Sequence, residues 1–127
     1  MRAFFIALCV CLLIPTSQAT TFNLDTASTR VVGHNLIVYS RAQDTLLDIA
    51  RRFDIGYSEI VNANPELDVW LPGSGKRVLV PNQYILPDAP QKGIVINLAE
   101  MRLYYYPKPV AGKPRQVITH PIGIGRE

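Results

Sequence analysis

Residues 36–80 read LIVYSRAQDTLLDIARRFDIGYSEIVNANPELDVWLPGSGKRVLV, and this stretch decides the fold. Leu36-Ile37-Val38-Tyr39 is a short apolar run rich in strand formers. Thr45 has Asp48 three residues on, the spacing of an N-terminal helix cap, with Asp44 as an alternative cap. Leu46, Ile49, Ala50 and Phe53 then fall at i, i+3, i+4 and i+7, one apolar helix face. Asp48 and Arg52 are four apart and can pair on the outer face. Gly56 is placed to end this helix or turn the chain. Ser58–Asn64 has room for about two further helical turns, with Ile60 and Ala63 inward, before Pro65 stops them. Asn64 reads as the helix-ending residue whose amide satisfies loop backbone groups. A loop closing in Pro72-Gly73-Ser74-Gly75 leads to a second strand, Arg77–Val80, ended by Pro81. The expectation is a small βααβ unit, near the lower size limit for burying a core.

Outward from this unit the composition changes. Residues 20–33 are polar and Ser/Thr-rich, with Phe22 and Leu24 as early apolar residues; they read as a tether, part of which packs as an edge segment. Residues 82–92 hold Pro87 and Pro90 just after Pro81 and read as a linker. Three strands are expected beyond it, at Ile94–Leu98, Arg102–Tyr106 and Arg115–His120, separated by Ala99-Glu100-Met101 and the Pro/Gly loop 108–114. Three strands without a helix or second sheet cannot cover both faces. The segment should leave Ile94, Ile96, Leu103 and Tyr105 on an uncovered apolar face. The expected fold class is α+β: the βααβ unit followed by the first strands of an incomplete all-β domain.

The N-terminus reads as a secretory leader over residues 1–19. Arg2 supplies the positive start, Ala3–Ile14 is uninterruptedly apolar, and Ser17-Gln18-Ala19 offers a cleavage site. The run is shorter than the roughly 20 apolar residues of a membrane span. No transmembrane anchor is therefore expected after cleavage. Both cysteines, Cys9 and Cys11, lie inside this run, so the exported chain would hold no thiolate and no disulfide framework. The whole chain carries 13 Lys+Arg against 10 Asp+Glu, a net charge of +3. The basic residues are scattered, with no stripe alternating with aromatics, which gives no support to nucleic-acid binding. His34 and His120 are too few and too far apart to suggest a metal site. No Gly-x-Ser-x-Gly elbow, paired carboxylates or phosphate loop is present.

The residues Ile37-Val38-Tyr39, Asp44-Thr45-Leu46, Ile49-Ala50, Ile60, Asn62 to Pro65, Leu71-Pro72-Gly73 and Val78 to Pro81 together resemble a LysM module, placed at residues 34–81. Where that family usually has Gly-Asp-Thr-Leu, this chain has Gln43-Asp44-Thr45-Leu46. A glycine there would accommodate a positive φ that glutamine resists. The resemblance implies binding of N-acetylglucosamine-containing glycans such as peptidoglycan. It places the groove between Gln43, Asp44 and Thr45 on one wall and Val69, Trp70, Leu71 and Pro72 on the other. Each has a plainer reading: Asp44 and Thr45 as caps, Leu71 as core, Trp70 as a core plug rather than a sugar platform.

The runs Ile94 to Leu98, Arg102 to Pro107 and His120-Pro121-Ile122-Gly123-Ile124-Gly125 resemble the opening of a YkuD-type L,D-transpeptidase domain, placed at residues 93–127. Leader, LysM module, proline-containing linker and this opening together resemble the N-terminal part of periplasmic L,D-transpeptidases. The resemblance implies periplasmic location, action in peptidoglycan cross-linking or lipoprotein attachment, and peptidoglycan as partner. For the intact enzyme it implies an outer-membrane lipoprotein as a further partner. That family uses a cysteine nucleophile and a histidine from later segments. No catalytic residue is assigned here, and no metal or cofactor is expected. His120 matches a strand end before the glycine turn rather than the catalytic histidine. The alternative reading is a non-catalytic secreted peptidoglycan-binding protein.

Overall fold

In the computed structural model, residues 20–125 are described, so the expected leader lies outside the described residues. The fold is mixed α+β. Eight strands and two helices follow in the order β1 (Thr20–Leu24), β2 (Val31–Gly33), β3 (Leu36–Tyr39), α1 (Leu46–Phe53), α2 (Tyr57–Ala63), β4 (Arg77–Val80), β5 (Gln83–Ile85), β6 (Gly93–Asn97), β7 (Arg102–Tyr106) and β8 (Arg115–Pro121).

The strand–helix–helix–strand order expected from residues 36–80 is present. β3 and β4 pair antiparallel, with Leu36 opposite Val80 and Val38 opposite Val78. Side chains alternate across a strand, so these four share the face turned to the helices. Leu46, Ile49 and Ala50 of α1, Ile60 of α2, and Val78 and Val80 of β4 are buried together. α1 is capped by Thr45, not by Asp44: Asp48 N donates to Thr45 Oγ1 (3.1 Å), and Thr45 N donates to Asp48 Oδ2 (3.0 Å). The expected Asp48–Arg52 pair does not form. Arg52 reaches back to Asp44 at 2.8 Å, while Asp48 faces Arg51 at 3.8 Å. Asp54 ends α1 in the left-handed conformation (φ 57), and Gly56 serves instead as the N-cap of α2. Gln43 avoids the expected strain, because among the described non-glycine residues only Asp54 and Met101 have positive φ.

Asn64, 2 % exposed, ties the helices to the sheet rather than to a loop. Its amide nitrogen donates to the carbonyls of Ile60 (2.8 Å) and Leu79 (2.9 Å), and its oxygen accepts from Leu79 N (2.8 Å). Ser40, just after β3, instead ties the sheet to the loop before β4, donating to the Gly73 carbonyl and accepting from Lys76 N at 2.9 Å.

The expected tether and linker both carry strands. β1 pairs antiparallel with β8, Phe22 opposite Val117, and forms the edge of a four-stranded sheet ordered β1-β8-β7-β6. Within 20–33, then, the edge-packing part of the expectation describes β1. β5 lies in the expected linker and pairs with β2. Its prolines fall outside the strand, and Tyr84 and Leu86 are buried. Gly33, at φ 73, sits where an added Cβ would collide with the Asn82 carbonyl, so this crossing requires glycine.

The C-terminal sheet thus gains a fourth strand from far upstream in the chain. Its inner face carries Leu24, Arg102, Tyr104, Tyr106, Val117 and Thr119, all buried. Tyr84 covers part of that face, meeting Phe22 edge-on at 6.0 Å and lying 4.1 Å from the Arg102 guanidinium carbon. One face is therefore covered, and the other is left open as the three-strand reading expects: Ile94, Ile96 and Tyr105 are 64 %, 56 % and 41 % exposed, while Leu103, expected beside them, is half-buried.

Candidate functional site

The two expected groove walls meet at the start of α1. Leu46 N, one of the donors that a helix N-terminus leaves free, bonds the Val69 carbonyl at 2.9 Å. This bond sets residues 43–45 beside residues 69–72. On the first wall, the Thr45 hydroxyl is committed to the cap and also donates to Asp48 Oδ2 at 2.7 Å. Asp44 accepts from Arg41 N (2.9 Å) and Arg52 Nη2 (2.8 Å). Its carboxyl is held below its usual value, chiefly by the Arg41 N–H, against an opposing effect of burial and with further help from Arg52. Asp48 is likewise held low, first by the Thr45 hydroxyl and then by the Thr45 N–H. Both carboxylates are thereby occupied in shaping the loop. Gln43 is exposed.

The second wall is built on Asp68. Its Oδ1 accepts from both Trp70 N and Leu71 N at 2.8 Å, a side-chain turn that fixes the backbone of the next residues. Trp70 and Leu71 consequently point outward, 63 % and 81 % exposed. The expectation of Leu71 as core is corrected, and Trp70 is not a core plug. Pro72 is buried and Val69 half-buried, so neither offers much side-chain surface. The exposed side chains on the two expected walls are Gln43, Trp70 and Leu71, beside a capped helix start. Such a surface can cover a sugar ring face while backbone groups meet its polar substituents.

Sequence reasoning missed a second constellation, which joins the βααβ unit to the sheet. Arg102 of β7 is fully buried. It donates to Glu59 of α2 through Nε to Oε1 (3.1 Å) and Nη2 to Oε2 (2.7 Å), a bidentate pair. Nη1 reaches Thr119 Oγ1 at 3.2 Å, and Nη2 the Asp54 carbonyl at 3.4 Å. Burial alone would lower the pKa of Arg102, but Glu59 and the neighbouring Tyr84 outweigh it and leave it raised. Glu59 Oε2 also accepts from Gly56 N at 2.7 Å, so one carboxylate caps α2 and holds the arginine. His120 Nδ1 lies 3.1 Å from Asp54 Oδ2, at the same junction. No sequence spacing relates residues 59 and 102; the one local signal is the alternation along β7, which sets Arg102 on the face opposite Leu103 and Tyr105.

A cleft of about 460 Å³ lies beside this junction, lined by Tyr57, Ser58, Asn62, Glu100, Met101 and Gly123 among others. Among the described residues no cluster of three His, Cys, Asp or Glu could hold a metal ion, and no helix is long and apolar enough to cross a membrane.

No protein-family profile matches the chain. Among curated proteins, it is 42 % identical over 124 residues to the "Probable L,D-transpeptidase YcfS" of Escherichia coli K12, covering 97 % of this chain and 37 % of that protein. The "Probable L,D-transpeptidase YbiS" of the same strain is 43 % identical over 113 residues, covering 87 % of this chain and 36 % of its own. The "Probable L,D-transpeptidase ErfK/SrfK", also of that strain, is 43 % identical over 113 residues, covering 87 % and 35 %. The chain therefore spans little more than a third of the length of these relatives, and what it resembles, over nearly all of its own length, is a portion of proteins named as L,D-transpeptidases.

Proposed function

We propose that this chain is the N-terminal part of a periplasmic L,D-transpeptidase, and that its LysM module, residues 34–81, holds the enzyme on peptidoglycan glycan. The observation that carries the reading is the 42 % identity over 124 residues to a protein named for this activity. The β3-α1-α2-β4 order and the exposed Trp70 and Leu71 beside the α1 cap support the glycan part. Acyl transfer by a thiolate needs a cysteine and a base to ionise it. The chain's cysteines are Cys9 and Cys11, in the leader, so the residues described here are assigned to attachment and placement, not to bond making. Residues 93–127 are the opening of the YkuD-type domain. Peptidoglycan is the partner of the module, and an outer-membrane lipoprotein is a partner of the intact enzyme. Export would leave Thr20, the first residue of β1, as the new N-terminus.

The test is co-sedimentation of the full chain with insoluble peptidoglycan sacculi. The chain should pellet with them, and Trp70→Ala combined with Leu71→Ala should release it with an unchanged circular dichroism spectrum. These two side chains are exposed and their backbone is held by Asp68, so the double change leaves the fold intact. Unchanged retention of the double variant would move the binding surface elsewhere.

A further inference from the structure

The cleft of about 460 Å³ between α2 and the β6–β7 turn shares no residue with the groove at Trp70. Its walls come from both parts of the fold. Ser58 and Asn62, four apart and so on one face of α2, line one side together with Tyr57. Glu100 and Met101 of the turn, and Ile122 just after β8, line the other. Glu59 also lines the cleft, and its pair with Arg102 ties α2 to β7. The two walls are thereby set before any ligand arrives, which spares a ligand the cost of ordering them.

The polar groups of these walls are open to a ligand. Tyr57 is 54 % exposed, Ser58 and Asn62 are exposed, and none of the three side chains bonds another described residue. Glu100 Oε2 accepts from the Tyr104 hydroxyl at 2.8 Å, which steadies the carboxylate and leaves Oε1 open. Glu59 is committed instead, both oxygens to Arg102 and one also to Gly56 N. Met101 sits at φ 53, a left-handed position that suits Asn or Gly better than a long side chain. Ile122 N, donating to the Met101 carbonyl at 2.8 Å, fixes this residue against β8. The thioether placed there at a conformational cost lines the cleft.

These groups set the chemistry of a ligand. No lining residue is basic, so an anion would enter without a counter-charge. One open carboxylate oxygen, an amide, two hydroxyls and an aromatic ring match a neutral, polyhydroxylated ring. Sugar hydroxyls donate to a carboxylate and accept from an amide N–H, while the C–H face of a pyranose covers a phenol ring. Met101 and Ile122 add apolar surface beside the Asn62 amide, a combination that fits an acetamido substituent.

We propose that this cleft is a second saccharide site, which takes an N-acetylated pyranose unit. Tyr57 stacks on the ring, Glu100 Oε1 accepts from a ring hydroxyl, Asn62 and Ser58 pair with the acetamido group, and its methyl meets Met101 and Ile122. The proposal goes beyond the glycan reading at Trp70, and either site stands if the other fails.

The experiment is a two-dimensional amide NMR titration of the full chain with N,N′-diacetylchitobiose, cellobiose and putrescine. It is run on the unsubstituted chain and on the Trp70→Ala, Leu71→Ala double variant, so that a response at the first groove cannot stand in for one here. In both, diacetylchitobiose should give saturable shifts at Tyr57, Ser58, Asn62, Glu100 and Met101. Cellobiose, which lacks the acetamido group, should bind this cleft about fivefold more weakly. Tyr57→Ala should weaken the sugar about tenfold at this cleft and leave any shifts at residues 69–72 unchanged, whereas Tyr57→Phe, which keeps the ring, should retain most of the affinity. Asn62→Ala should weaken it about fivefold. The absence of saturable shifts at the cleft, shifts there that vanish in the double variant, equal binding of cellobiose, a response to the diamine instead of the sugar, or indifference to Tyr57→Ala would overturn the proposal.

Discussion

Glu59→Ala should be the most damaging single change at the junction between helices and sheet. It removes both bonds to the Arg102 guanidinium and the bond to Gly56 N. Arg102 has no exposed side-chain surface, so its charge would be left buried without a counter-ion. Breaking a buried pair from one side costs about 3–5 kcal/mol. Two features place this site near the lower end. Glu59 keeps 24 % side-chain exposure, which lets water approach the vacated position. Arg102 also retains Thr119 Oγ1, the Asp54 carbonyl and the Tyr84 ring. The expectation is a loss of about 3 kcal/mol, a large share of the roughly 5–15 kcal/mol that holds a domain together. The assay is urea unfolding followed by circular dichroism, with the midpoint lowered at unchanged slope. The cycle is closed with Arg102→Leu. In the Glu59→Ala background this second change should cost clearly less than it does alone, because the unpaired charge goes with it. A Glu59→Ala loss below about 1 kcal/mol, or strictly additive single effects, would refute the view that this pair locks the two parts together.

Asn64→Ala should cost about 2–3 kcal/mol in the same unfolding assay, since it strands Leu79 N and two carbonyls at a buried position. Stability should fall as the pH rises from 10 towards 12, measured as thermal midpoints. Burial pushes Tyr84 up to about 12 from 10.0 and raises Tyr104 as well, so between those values the unfolded chain has lost protons that the folded chain keeps. Below pH 10 the contribution is fully present, and Tyr104→Phe should flatten the alkaline slope. Ile96→Lys, at a 56 % exposed position on edge strand β6, should lower concentration-dependent light scattering and move the thermal midpoint little.

The helices and their flanking strands were legible because their signals are local. Thr45 and Asp48 form the cap that their spacing announces, and the i, i+3, i+4 run from Leu46 to Ala50 is the buried stripe. Proline placement fixed the ends of β4 and β7 in the same way. Within the candidate groove, the residues of both walls were named from resemblance, yet their exposure was not readable. Leu71 stands in the sequence reading both as a wall residue and, on the plainer reading, as core. The turn made by Asp68, three residues earlier, is what turns it outward, and an Asp before an apolar run has no single structural meaning.

The sequence by itself determined the order of secondary elements between residues 36 and 80, the strands of the C-terminal segment and the apolar outer face of that segment. Each depends on periodicity or turn chemistry within a few residues. Only the tertiary structure decided that Thr20–Leu24 pairs with Arg115–Pro121 as an edge of the C-terminal sheet, that Gln83–Ile85 pairs with Val31–Gly33, and that Glu59 meets Arg102. These contacts join residues that lie 43 to more than 90 positions apart. No local pattern encodes them, because backbone pairing is chemically the same for any two strands and a charge does not specify its partner. The partners are selected when the inner sheet face must be covered and its one buried cation must be neutralised, and both demands arise only once the chain has folded.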